Sequence, residues 1–197
     1  SSNFSNLVGG TGKGWTLRRR LFATKMLSAT AVRRIEPVVM EELARTLVSF
    51  KDILVKAAAA GEPAPAINIR DGFDFMNTNI ILALCLGRTA SENGPMPVNK
   101  RQLQYMKNEI FKLYKTPKLW DAFPVLKPFF RAEVNHCQKV VDDMDALIRP
   151  VVRHRREHMD YNAEPLDFLD TMLIAEKENP DIITEDSILS MFRTDLL

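Results

Sequence analysis

Cysteine is scarce: Cys85 and Cys137 are the two in 197 residues, too few for a disulfide framework or a zinc module. Cys137 sits in an apolar helical seam and Cys85 in the most buried-looking helix, so both read as small core hydrophobes. Charge of one sign is lacking too. Lys+Arg number 27 against 25 Asp+Glu, a formal +2 that gives no global field for drawing nucleic acid, and none is expected as a partner. The longest unbroken apolar run, Ile80 to Leu86, is far short of the ~20 residues that cross a bilayer. No initiator methionine or signal-peptide pattern opens the chain, and its other end, from Met191 to Leu197, breaks off inside an amphipathic pattern without a Gly, Asn or Pro stop. Both ends read as cuts, and residues 1–197 as one domain truncated at each end. What is present is ordinary globular material: 46% hydrophobic and 26% charged residues, enough for a core without disulfides or metal.

Eight glycines and eleven prolines fall mostly between periodic segments, which predicts a helical protein with punctuated loops. A first helix runs from about Trp15 to Leu27, after the glycine-rich Gly9–Gly14. A second begins around Pro37, a residue at home in a first turn; its stripe Val39, Leu43, Leu47, Phe50 and Leu54 is read as core and ends across Ala57 to Gly61. The alternation Ile67-Asn68-Ile69 allows a short strand. Phe73 to Leu86 reads as a helix buried on most sides and closed by Gly87. Turn chemistry at Asn93–Pro97 precedes a helix at about Lys100 to Tyr114, and Thr116 to Pro128 is an apolar connector. The longest helix spans about Phe130 to His158, with a seam of Val134, Cys137, Val141, Met144, Ile148 and Val151; Pro150 inside it removes one hydrogen bond and bends the axis. Leu166 to Glu176 gives another helix. Thr184 caps a last one starting near residue 185, with Glu185 and Asp186 in its first turn.

Several motifs lack the context their chemistry needs. The glycine stretch does not have the spacing of a phosphate loop or of GxGxxG. His154-Arg155-Arg156-Glu157-His158 places two imidazoles four apart, as an inverted zinc-protease motif does. The intervening arginines oppose a cation, and no further ligands are found, so the run reads as a solvated, basic helix end and no metal site is expected. Trp15 and Arg19 are more suggestive. Four residues apart, they share a helix face, where an indole N–H and a guanidinium suit a carboxylate, although a tryptophan under an exposed arginine is the commoner arrangement.

The run Gly14-Trp15-Thr16-Leu17-Arg18-Arg19-Arg20-Leu21, followed by Met26-Leu27-Ser28, resembles the C-helix region of a cytochrome P-450, particularly of plant microsomal members. Asn79–Leu86-Gly87 resembles helix E, Asp121–Leu126 the F–G region, Asp167–Asp170 helix H, and Ile183–Asp186 the opening of helix I, all in family order. The resemblance implies a mainly α fragment, from about helix C to the start of helix I, of a heme-thiolate monooxygenase that inserts one atom of O2 into an apolar small organic substrate. It implies that Trp15 and Arg19 bind a heme propionate and that electrons come from NADPH through a reductase met by Arg18, Arg20 and Lys25. The connector from Leu113 to Phe129 would roof the substrate, with Trp120, Phe123 and Phe129 as candidate contacts. An endoplasmic reticulum membrane location, on the cytoplasmic face, is implied as well. The F-x-x-G-x-R-x-C ligand loop, the E-x-x-R helix and the acid–alcohol pair of helix I are not in this sequence, so the axial cysteine would lie outside it, no catalytic residue is expected in it, and the fragment alone should be inactive. The rival reading is a non-catalytic helical interaction module in which the stripes at 39–54 and 134–151 bury against each other or a partner.

Overall fold

A computed structural model describes residues 10–87, 95, 97–115 and 118–193. The elements are α1 (Gly12–Lys25), α2 (Ala29–Ala59), α3 (Ile69–Cys85), α4 (Lys100–Lys115), α5 (Leu119–Ala122), a 3-10 segment (Pro124–Phe130), α6 (Arg131–His158), α7 (Phe168–Glu178) and α8 (Glu185–Met191). No strand occurs among the described residues, and the expected mainly helical class holds. Most of the turn at Asn93–Pro97, Thr116 and Pro117 of the connector, and the last residues 194–197 lie outside the described residues.

α6 is the axis of the core. Its Met144, Ile148, Val151 and Val152 are buried on one face, as the three-and-four spacing predicts, while Val134, Cys137 and Val141 nearer its start are half-buried. That face meets Leu103, Met106 and Ile110 of α4, Leu169, Met172 and Leu173 of α7, and Ile188 and Leu189 of α8; Leu82, Cys85 and Leu86 complete the cluster from α3. Helix ends are set by local chemistry. Thr184 accepts from Ser187 N while Ser187 Oγ accepts from Thr184 N, a reciprocal box that starts α8 at Glu185. Asp167 caps α7 by accepting from Asp170 N at 3.0 Å.

Three expectations are corrected. Residues 67–69 form no strand, because Ile69 opens α3 with Asn68 at its N-cap. α2 starts at Ala29, capped by Ser28 Oγ, so Pro37 sits inside the helix and removes one hydrogen bond without ending it. The stripe on α2 is not core: Leu47 is 56% and Leu54 41% exposed, and Val39, Leu43 and Phe50 are half-buried. α3 is the principal described neighbour of α2, and the face turned to it carries Glu42 instead, whose carboxylate accepts from Asn79 at 2.7 Å. In the connector, α5 and the 3-10 segment occupy most of the described chain.

Candidate functional site

α1 begins at Gly12, whose φ of +80° is a conformation that favours glycine. One turn in, Trp15 and Arg19 lie on one face, with the guanidinium carbon 5.2 Å from the indole ring centroid. Trp15 is half-buried and Arg19 exposed. A guanidinium laid on an aromatic face keeps its N–H fork in a fixed plane, and that fork matches a carboxylate through two parallel hydrogen bonds. Chemically, this pair fits the acidic edge of a porphyrin.

Packing on the core holds α1 in place. Leu17, Leu21, Phe22 and Met26 pack there, and the Phe22 ring meets Phe168 of α7 edge-on at 5.8 Å. Arg18 is turned inward as well and is only 6% exposed. Its guanidinium folds back over Gly14, where a Cβ would lie 3.2 Å from Arg18 Nη1 and 3.4 Å from Ile182 Cγ2. The glycine makes room for an arginine that any larger residue would crowd. Arg18 is therefore unavailable as a surface contact, which corrects its expected place beside Arg20 and Lys25; those two are exposed.

The three connector aromatics are not brought together. Trp120 is buried against Phe130, ring centroids 5.0 Å apart, with Lys118 Nζ 5.9 Å above the indole. Phe123 and Phe129 face outward, the latter 82% exposed. The His154 and His158 rings stack at 4.2 Å, and His158 Nδ1 lies 2.8 Å from the His154 carbonyl. Among the described residues no group of three or more His, Cys, Asp or Glu side chains could hold a metal ion. The Cys85 thiol is fully enclosed, and burial, helped by the Asp167 charge, pushes its pKa far above the usual range. That is the behaviour of a core residue rather than a nucleophile.

A polar hub between α3, α6 and α7 has no counterpart among the sequence motifs. Arg155 Nη1 pairs with Asp167 Oδ2 at 2.9 Å and Asp170 Oδ1 at 2.6 Å, and its Nη2 donates to the Leu86 carbonyl at 3.0 Å. Gly87, at φ +57°, lies so close that a Cβ there would overlap Asp167 Oδ2. Burial pushes the Asp167 carboxyl up to about 6; the Asp170 N–H and Arg155 pull against that, and the Asp170 charge adds to it. Next along the helix, Arg156 pairs with Glu176 and Glu185, so the basic run at 154–158 is not simply solvated: two of its arginines tie α6 to α7 and α8. One signal is present in the sequence, an Asp-x-x-Asp cap ahead of an apolar helix, but the arginine it meets lies twelve residues upstream. Beside the hub opens a cavity of about 790 Å³, lined by Val38 and Ala83 on one side and by residues of the α6–α7 connection on the other.

The chain is 23% identical over 180 residues to "Cytochrome P450 monooxygenase 521A1" of Dictyostelium discoideum, an alignment that covers 88% of this chain and 33% of that protein. The chain thus spans about a third of the length of that relative. Because the family model for cytochrome P450 matches residues 3–193, nearly the whole of the sequence, the chain belongs to the cytochrome P450 family.

Proposed function

We propose that this chain is the propionate-side portion, helices C through the start of I, of a heme-thiolate monooxygenase, of the plant microsomal type that Gly14–Leu21 resembles. The observation that carries this reading is the Trp15–Arg19 pair: an exposed guanidinium stacked on an indole, on a helix whose Leu17, Leu21, Phe22 and Met26 pack on the core. When bound, the heme supplies O–O cleavage, driven by electrons from NADPH and pushed by a cysteine thiolate from outside this chain. Arg19 would hold a propionate through its fork of donors, and Trp15 would keep that fork in plane and contribute its indole N–H. Arg20 and Lys25, both exposed on the same helix, would meet the acidic surface of the reductase.

The exposed Phe123 and Phe129, with Lys127 between them, would form the outer side of the substrate roof and rest against the endoplasmic reticulum membrane, while Trp120 anchors that roof to Phe130. Oxygen is inserted into an apolar small organic substrate, consistent with so apolar a roof. No catalytic residue lies in this chain, and by itself it is inactive. In a full-length form, Trp15→Phe combined with Arg19→Leu should weaken heme binding about tenfold or more, the worth of one charge-assisted hydrogen bond. Heme occupancy is read by titrating the apoprotein, and unchanged occupancy would overturn the assignment.

A further inference from the structure

The cavity beside the Arg155 hub has no residue of α1 in its lining. Its walls are mostly apolar: Val38 from α2, Ala83 from α3, and Met159, Ala163, Pro165 and Leu166 from the α6–α7 connection. Its volume of about 790 Å³ lies in the range of small-molecule sites. Leu166, 79% exposed, stands at its edge. Charge at the lining is one-sided. The lining carries the exposed Asp160 and Glu164 and the buried Asp167 and Asp170, with one guanidinium, Arg155; His158 is beside them, and Arg34 of α2 reaches only the Pro165 carbonyl at the rim, 3.4 Å away.

The shortage is sharpest at the floor. Asp167 and Asp170 are both buried, and they share Arg155 Nη1, so two carboxylates are served by one cation. A buried carboxylate without a full counter-charge is costly, and the protein answers by raising the Asp167 carboxyl to about 6. Cys85 of α3, the remaining titratable neighbour, feels the same uncompensated charge. A metal ion is a poor remedy here, because among the described residues no three ligating side chains converge. A cation carried on an apolar body answers both features at once.

We propose that the cavity between α2, α3 and the α6–α7 connection is a binding site for a small organic cation, an alkyl amine or guanidinium whose charged head meets Asp167 and Asp170 and whose apolar tail lies along Val38, Ala83, Met159 and Leu166. The head would share the oxygens of Asp167 and Asp170 with Arg155 and with the N–H groups of Asp170 and Leu166, and its tail gains by leaving water. Ionised Asp167 is the better partner. With a carboxyl near 6, affinity should fall about tenfold from pH 7 to pH 5, the loss in its ionised fraction.

The test is calorimetric titration of a full-length, heme-loaded form with hexylguanidinium, which unlike an amine is a poor iron ligand, alongside hexanol and hexanoate. Binding of hexylguanidinium, weakened about tenfold or more in Asp167→Asn while any binding of hexanol is unaffected by that substitution, is expected. Asp167→Asn keeps the side-chain oxygen that caps α7. Ala83→Leu fills the groove without touching any charge, and should abolish binding while heme content stays unchanged. Hexanol binding that Ala83→Leu abolishes equally, indifference of hexylguanidinium binding to both substitutions, or no binding because another part of the protein covers the groove would each overturn the proposal.

Discussion

Gly87→Ala should destabilise the chain far more than Gly61→Ala, although both glycines have positive φ, +57° and +67°. The conformational cost is common to the two, about 1–2 kcal/mol for placing a Cβ in the left-handed region. At Gly61 nothing lies within 4 Å of the added carbon, so that cost is the whole effect. At Gly87 the new Cβ overlaps Asp167 Oδ2 and stands 3.3 Å from Arg155 Nη2. The carboxylate must move off the guanidinium it now meets at 2.9 Å. Breaking a buried pair outright costs about 3–5 kcal/mol, but Asp170 remains on Arg155, so about 2–3 kcal/mol is added here. The totals are about 3–5 kcal/mol for Gly87→Ala and about 1–2 for Gly61→Ala. Urea unfolding followed by circular dichroism measures both, provided the denaturant slope is unchanged. In an Asp167→Ser background the cap oxygen survives and the overlapping one is gone, so the excess at Gly87 should vanish. Equal costs at the two glycines, or an excess that persists in the serine background, would refute the argument.

Thr184→Ala should cost about 1 kcal/mol, and Ser187→Ala added to it much less than it costs alone, since the two side chains form one reciprocal box; denaturation of the single and double variants checks this. Asp167 sets a pH dependence whose sign is fixed by its raised carboxyl. The folded state binds this proton more tightly than the unfolded chain does, so the contribution to stability is full below about pH 4 and is lost as pH rises through about 6. The stability of the wild type relative to Asp167→Asn should fall by roughly 2–3 kcal/mol between about pH 4 and pH 7, and a rise over that window would contradict it. Phe22→Ala removes the edge contact with Phe168 and should loosen α1 selectively. Amide exchange in α1 should quicken at least about tenfold while the Met144–Val152 stretch of α6 keeps its protection.

Legibility follows the range of the interaction. The seam of α6 and the cap of α8 depend on residues three and four apart, and both are readable at Met144, Ile148, Val151 and Thr184. Trp15 and Arg19 are readable for the same reason, since one turn of helix fixes their shared face. Periodicity on α2 misleads: it reports an amphipathic helix but says nothing of which neighbour is present, and Leu47 and Leu54 are exposed in the fold. Pro37 has the look of a first-turn residue because the serine that actually starts α2 lies nine residues earlier. The hub at Arg155 is beyond local rules altogether, since it joins Leu86, Gly87, Asp167 and Asp170 across a separation of more than eighty residues. Burial of Arg18 is hidden as well, because it depends on the missing side chain of Gly14 and on Ile182 from another loop.

The position of α1 is a tertiary effect, and this bears on how its Trp15–Arg19 face can serve. Its sequence carries two glycines in the first turn and three consecutive arginines, and the Thr11 side chain makes no capping bond, so little in the helix itself favours its formation. What holds it is one apolar edge, with Phe22 against Phe168. Phe168 in turn packs edge-on against Phe192 at 6.4 Å, at the end of α8, and follows directly on the Asp167 cap that Arg155 secures. A single residue at the head of α7 therefore touches the helix bearing the candidate propionate donors and the end of α8, and its own backbone is fixed by a buried ion pair. A disturbance at Gly87 or Asp167 should reach Trp15 and Arg19 through this route, with no contact to either needed, because α1 has little independent stability with which to resist.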